Sequence, residues 1–284
     1  MSKFIGIKEV ILSDDEIEQL KGRRTFDFDY FNIDILRNEY LAVKDTSDNY
    51  TSYKYRFNGE KYVKLHYEPI INTYTGDIHP RNARQEMLFD LLQNDEIPVK
   101  LITGSMGSGK TFLSVNFAIY KIQQKHSPYE KIIYIRNNIE VANTQPLGAL
   151  PNGLRDKLLP FILPIQDCLG GNPQQLEYLE RSNLIEYVHL GHIRGRSWSN
   201  SIILVSESEN LTKDHVELLI GRVGENSIII FEGDLSQTDK KIFEKDNGIV
   251  SLKRILGGHE LFGAVELDKS ERSRVAELSK LFRN

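Results

Sequence analysis

Eight consecutive residues, Gly104-Ser105-Met106-Gly107-Ser108-Gly109-Lys110-Thr111, constrain this chain more than any other feature. They match the pattern G-x-x-x-x-G-K-[ST]. An apolar run from Ile97 to Thr103 leads straight into Gly104, and Phe112, Leu113, Val115, Phe117, Ala118 and Ile119 follow in a helix-forming stretch. Strand, glycine-rich loop and helix in that order form a cradle for phosphate. The glycines let the backbone wrap an anion, and the loop N–H groups and helix N-terminus supply positive potential. Lys110 is expected to reach the β and γ phosphates of a nucleotide, and the Thr111 hydroxyl to hold Mg²⁺.

The rest of the chain after about residue 79 is consistent with that start. Near-continuous β-branched runs at Lys131–Ile135, Ile185–Val188, Ser201–Val205 and Ser227–Phe231 alternate with helical stretches such as Thr111 to Gln124 and Thr212 to Gly221. Such runs read as strands buried on both faces. The expected fold class is therefore α/β: a P-loop NTPase three-layer sandwich on a mainly parallel sheet. Pro146 to Gly153 reads as an exposed loop.

Residues 1–78 have a different texture. Tyr40–Lys44, Ser52–Phe57 and Lys61–Leu65 alternate, with Asn58-Gly59 between the last two, the strongest short-range hairpin signal. We read a small, β-rich, antiparallel N-terminal module. Tyr53, Tyr55 and Phe57 share one face of their strand, and Lys54 and Arg56 the other. A basic, aromatic sheet is one way to bind single-stranded nucleic acid, but a half-buried sheet with a solvated face is the commoner meaning of such alternation.

A P-loop enzyme needs a carboxylate at the end of a further parallel strand. Ser201–Val205 is followed by Ser206-Glu207-Ser208-Glu209-Asn210, so Ser206 stands where an Asp is expected, with Glu207 next to it. Glu207 is placed to orient and deprotonate an attacking water. Ser206 can accept a hydrogen bond from a metal-bound water but carries no charge, so weaker metal retention and slower hydrolysis are expected. A third strand ends at Glu232-Gly-Asp-Leu-Ser-Gln237, where Asp234 and Gln237 are the candidates to sense a γ-phosphate. A turn capped by Asp234 is the bland alternative.

The ordered motifs His79–Gln85, Gly104–Thr111, Ile193–Ser197, Ser206–Asn210, Gly233–Gln237 and Lys269–Ser273 resemble those of PhoH-like ATPases, relatives of the superfamily one helicases. The resemblance covers roughly residues 79 to 284 and implies ATP and Mg²⁺ as ligands, hydrolysis coupled to RNA or other nucleic acid, and a ring-shaped homo-oligomer. It implies that Arg81, Asn82 and Gln85 form a segment like a helicase Q-motif, with the Gln85 amide reading an adenine edge. It implies that Arg272 acts on the γ-phosphate and that Arg194 and Arg196, beside Trp198, contact RNA or a neighbouring subunit's nucleotide. The family's long form begins with a PIN ribonuclease domain; no cluster of strand-end Asp residues here looks like one, so ribonuclease activity is not expected.

The chain departs from the family pattern Asp-Glu-Ala-Gln-Asn at Ser206 and at Glu209, which would bring negative charge towards the γ-phosphate. Arg136-Asn137 likewise replaces Arg-Pro. A nucleotide-binding scaffold or switch with weak hydrolysis is therefore the competing reading. A small-molecule kinase ranks third, because Lys110 and Glu207 are far apart with another strand between them. Composition narrows the setting. There are 36 Lys and Arg against 40 Asp and Glu, for a net charge of −4, which argues against coating nucleic acid by bulk charge. The single cysteine, Cys168, leaves no internal disulfide and no multi-cysteine metal site. No apolar run approaches 18 residues and no signal-like block opens the chain, so a cytoplasmic location is expected.

Overall fold

A computed structural model describes residues 3–46, 51–136, 162–237, 243 and 247–271. The loop expected at 146–153, Asn137 and Arg272 lie outside the described residues. The elements of the first part are β1 (Ile7–Leu12), α1 (Asp14–Glu18), β2 (Thr25–Asp27), β3 (Tyr40–Asp45), β4 (Thr51–Phe57), β5 (Lys61–Lys64), β6 (Ile70–Asn72) and β7 (Gly76–Ile78). Then follow α2 (Ala83–Gln93), β8 (Val99–Gly104), α3 (Lys110–Gln123), β9 (Lys131–Arg136), α4 (Pro173–Arg181) and β10 (Ile185–His189). The last are β11 (Ser201–Ser206), α5 (Lys213–Ile220), β12 (Ile228–Gly233), α6 (Gly248–Leu256) and β13 (Phe262–Leu267).

The larger sheet has six strands, all parallel, in the order β10-β9-β11-β12-β8-β13. Its strands are continuous apolar runs because helices cover both faces. Ile102, Ile132, Tyr134, Ile202, Leu204, Ile228 and Ile230 pack under α2, α3 and α4, while Leu101, Ile133, Ile203, Val205, Ile229 and Phe231 pack under α5 and α6. This is the expected three-layer sandwich. One consequence matters for the site: β12 lies between β8, which feeds the glycine-rich loop, and β11, which ends at Ser206.

The smaller sheet has the order β1-β3-β4-β5-β2. The hairpin at Asn58-Gly59 forms as expected, with Phe57 opposite Tyr62 and the Asn58 side chain accepting from the Glu60 and Lys61 N–H groups. The sheet is not wholly antiparallel, which corrects the sequence expectation. β1 runs parallel to β3, because the long excursion through α1 and β2 gives the chain room for a crossover. Leu41, Val43, Tyr55, Phe57 and Tyr62 build a core of their own with Phe26 and Phe31.

The face carrying Lys54 and Arg56 is not solvated, a second correction. It lies on α2. Lys54 Nζ reaches Glu86 at 2.8 Å and Arg56 Nε reaches Asp90 at 3.1 Å. Asp90 also accepts from the buried Tyr40 hydroxyl at 2.9 Å and from the His66 N–H at 2.9 Å. Alternation reveals that two faces differ, but not that the polar face meets charged groups of another element. Asn38 adds a second tie, its amide donating to the carbonyls of His259, Glu260 and Phe262 at the start of β13. The β6–β7 hairpin lies against α3, with Ile70 and Ile78 in the core of the larger sheet.

Removing a buried partner from a charged network strands the groups left behind. Asp90→Ala is therefore expected to cost about 3–5 kcal/mol in urea unfolding of the whole chain, with Asp90→Asn costing less. Equal, small losses in both variants would show that the network is not what holds the small sheet to α2.

Candidate functional site

The carboxyl edge of the six-stranded sheet holds a cleft of about 990 Å³. The glycine-rich loop forms its floor. Gly104 has φ of 151°, and a Cβ there would sit 2.4 Å from the Leu267 carbonyl, so only glycine lets β8 turn into the loop against β13. The Lys110 ammonium folds back onto the loop, donating to the Gly104 carbonyl at 2.6 Å and the Ser105 carbonyl at 3.1 Å. Thr111 follows on the first turn of α3 and faces the same cleft, with Met106, Gly107 and Gly109 around it. The Ser108 side chain is fully buried beneath the loop.

α2 braces the loop from the side. Asn82 caps α2, its side chain accepting from the Gln85 N–H at 3.0 Å. The buried Gln85 amide accepts from the Arg81 N–H at 2.9 Å and donates to the Ser108 carbonyl at 3.4 Å. Gln85 thus ties the helix to the loop in this structure, with both amide groups in use. Asn82 Nδ2 donates to Glu271 at 2.8 Å, and the Glu271 N–H donates to the Gly107 carbonyl at 2.9 Å. That contact brings the chain to the loop one residue before Arg272.

The acidic wall comes from β11 and β12. Glu207 has φ of 54°, left-handed backbone that a non-glycine residue adopts at a cost and that recurs at functional sites. Its carboxylate pairs with Arg136 at 3.2 Å and borders the cleft. Ser206 is buried in line with Arg136 on β9.

Glu209 differs most from its expectation. It is only 1% exposed, accepts from the Asp234 N–H at 3.0 Å, and packs against Gly233, where a Cβ would lie 2.5 Å from its carboxyl. Burial, then a hydrogen bond to Glu207 and that residue's charge, push its pKa well up, so it holds a proton at neutral pH. A neutral carboxyl presents an O–H donor beside a carbonyl acceptor, and a glutamine amide likewise sets a donor group, its NH₂, beside a carbonyl. The negative charge expected from Glu209 is therefore not delivered to the cleft.

Asp234 and Gln237 are joined to each other: the Asp234 carboxylate accepts from the Gln237 amide and from Ser236 N and Oγ at 3.0 and 2.6 Å. Burial works to raise the Asp234 pKa, but those bonds outweigh it and hold it low. The capped turn is thus real, and it presents Gln237 to the cleft.

Arg194 and Arg196 are not in the cleft. Arg196 pairs with Glu186 at 2.6 Å and lies over Trp198; Glu186 also meets Lys131, the first residue of β9. That places Arg196 at the amino edge of the sheet, opposite the glycine-rich loop. Arg194 is exposed on the same connection.

Sequence reasoning missed Glu232. It is only 2% exposed, lines the cleft, and neither carboxylate oxygen has a hydrogen-bond partner of normal geometry among the described residues. Burial pushes its pKa up to about 7, tempered by nearby Thr111 and Lys110. A glutamate ending an otherwise apolar strand next to Gly-Asp was the available signal.

Folding that keeps a proton on Glu209 gives stability a pH dependence. Above about pH 4.5, the ordinary value for Glu, the unfolded chain releases that proton while the folded chain keeps it. The folded state then binds more protons, so stability falls as pH rises. Between pH 5 and 8.5 the wild-type Tm should decline, and Glu209→Gln should make the decline shallower. Superimposable wild-type and variant profiles would contradict a protonated Glu209.

The model of the family described as PhoH-like protein matches residues 77–283. Protein PhoH2 of Thermobispora bispora is 32% identical over 200 residues, covering 70% of this chain and 45% of that protein. Protein PhoH2 of Bacillus subtilis is 32% identical over 209 residues, covering 71% and 47%. The chain thus spans about half the length of the curated relatives it matches. Among solved structures, a Bacteroides Pif1 helicase in complex with ADP-AlF3 and single-stranded DNA aligns at 16% identity and a TM-score of 0.36, covering 73% of this chain and 47% of that one. With its phosphate-binding loop at the head of α3 and its match across residues 77–283, the chain belongs to the PhoH-like protein family.

Proposed function

We propose that the cleft binds ATP with Mg²⁺ and hydrolyses it, and that turnover is coupled to single-stranded RNA or another nucleic acid. One observation carries the reading: Lys110 lies folded onto the loop's own carbonyls at the head of a buried helix, and an acidic wall stands across the cleft. The loop and helix N-terminus form a focus of positive potential that a polyphosphate would neutralise. Lys110 would exchange two carbonyls for phosphate oxygens. Mg²⁺, when bound, would neutralise charge on the phosphates, and Thr111 with the acidic wall would hold it. Glu207, released from Arg136, would take a proton from the attacking water, and Gln237 would orient that water. Arg272, which follows Glu271 in the sequence, is proposed to act on the γ-phosphate.

Coupling to nucleic acid rests on the motif order that resembles PhoH-like ATPases, relatives of the superfamily one helicases. Arg194 and Arg196, remote from the cleft, are proposed as contacts to nucleic acid or a neighbouring subunit. A homo-oligomeric ring, a cytoplasmic setting and a division into a module at 1–78 and an ATPase at 79–284 belong to the same proposal. Among the described residues no helix is long and apolar enough to cross a membrane. The second reading, a switch with slow hydrolysis, is favoured by the uncharged Ser206 and by the Arg136 pair that holds Glu207.

Steady-state ATP turnover with Mg²⁺, with and without single-stranded RNA, tests the two readings. The hydrolase reading expects RNA to raise turnover and Lys110→Ala to abolish it. Glu207→Gln should reduce turnover about 100-fold, within the range for losing a general base, while nucleotide binding survives. Nucleotide binding without turnover would favour the switch. Turnover unaffected by Lys110→Ala would reject this cleft as its source.

A further inference from the structure

We propose that Glu232 is the acidic residue of the Mg²⁺ shell in this chain, supplied from the strand next to the one where that carboxylate is expected. The proposal rests on the reading of the cleft as an ATP·Mg²⁺ site. Ser206 leaves the expected position uncharged. On β12, Phe231 stands opposite Val205 of β11, so continuing the register by one residue sets Glu232 beside Ser206. The two side chains point to the same face. Ile202 and Leu204 on β11, and Ile228 and Ile230 on β12, all pack beneath α3, and alternation carries Ser206 and Glu232 onto that side. It is the side from which the first turn of α3 presents Lys110 and Thr111.

The displacement runs towards the phosphate loop. β12 is hydrogen-bonded to β8 and β11 is not, with Glu232 opposite Ile102, two residues before Gly104. Moving an acid from β11 to β12 shifts it by about one strand spacing, roughly 4.8 Å, and Glu has a longer side chain than Asp. The carboxylate meets the requirement for a cation ligand: it is buried, it borders the cleft, and neither oxygen makes a hydrogen bond of normal geometry among the described residues, the Thr111 hydroxyl being the donor within reach. A buried carboxylate short of well-placed donors is expensive unless something further binds it. Core packing alone would be served better by an apolar residue at this strand end. The Thr111 hydroxyl, Lys110 and Arg136 favour its charged form and Glu207 opposes it, so the groups around it are those of a phosphate and cation site.

The test uses the full chain, a non-hydrolysable ATP analogue and Mn²⁺ as a paramagnetic probe. Mn²⁺ affinity is read by electron paramagnetic resonance in the ternary complex, and analogue affinity is measured separately in chelator. Glu232→Gln should weaken Mn²⁺ binding by about tenfold or more, the scale on which metal sites respond to loss of a supporting group. Metal-free analogue affinity should stay within about twofold or tighten, since a negative neighbour of the phosphates is removed. The double variant Ser206→Asp with Glu232→Gln should regain Mn²⁺ affinity, because it returns the carboxylate to β11. Circular dichroism melts confirm that both variants fold. Analogue binding with Mn²⁺ affinity unchanged in Glu232→Gln overturns this proposal and leaves the ATP reading intact. Absence of analogue binding to the wild type under every condition overturns the ATP reading, and this proposal with it.

Discussion

Positive potential at the head of α3 organises the upper edge of this molecule. The loop from Gly104 to Thr111 turns back on itself and delivers its N–H groups, a helix N-terminus and the Lys110 ammonium to one place. The structure answers with negative and dipolar groups on every side. Lys110 takes the Gly104 and Ser105 carbonyls, Glu232 lies within reach of the Thr111 hydroxyl, and Glu207 is held across the cleft by Arg136. The parallel sheet makes this possible, because every strand ends at the same edge and each ending can carry one functional side chain.

The small sheet joins the same arrangement through α2. Asp90 gathers Tyr40, Arg56 and the His66 N–H on the outer side of that helix. At the other end, Asn82 and Gln85 bond to Glu271 and to the Ser108 carbonyl. One helix thus contacts both the small sheet and the glycine-rich loop. Lys100 braces that helix: fully buried, its ammonium donates to the carbonyls of Leu91, Asn94 and Ile97 and so closes the end of α2 onto β8.

Much of this was legible in the sequence, for physical reasons. Continuous β-branched runs require burial on both faces, so the parallel sheet and its three layers followed from Ile132–Ile135, Ile202–Val205 and Ile228–Phe231. Gly104 to Thr111 has a spacing that only the loop's own geometry explains. The Asn58-Gly59 hairpin is local chemistry and formed as expected. What depended on contacts between elements was not legible. Lys54 and Arg56 looked solvated because nothing near them in sequence shows that Glu86 and Asp90 meet them. The parallel pairing of β1 with β3 has no signature in the sequence, because crossover pairing leaves no local mark. Glu209 looked like a charge, and only its burial against Gly233 and Glu207 shows otherwise. Glu232 was hidden because register between neighbouring strands, not spacing along one, sets it beside Ser206.

Lys110 is the residue on which the proposed nucleotide site above β8 and β12 depends. The most direct test is equilibrium titration of the full chain with a fluorescent ATP analogue and Mg²⁺, alongside Lys110→Ala. Saturable, competitive one-site binding is expected, weakened by at least tenfold in the variant, about 1.4 kcal/mol or more. Equal binding by wild type and variant would contradict it, because the phosphate would then not be held by the loop on which the rest of the site depends.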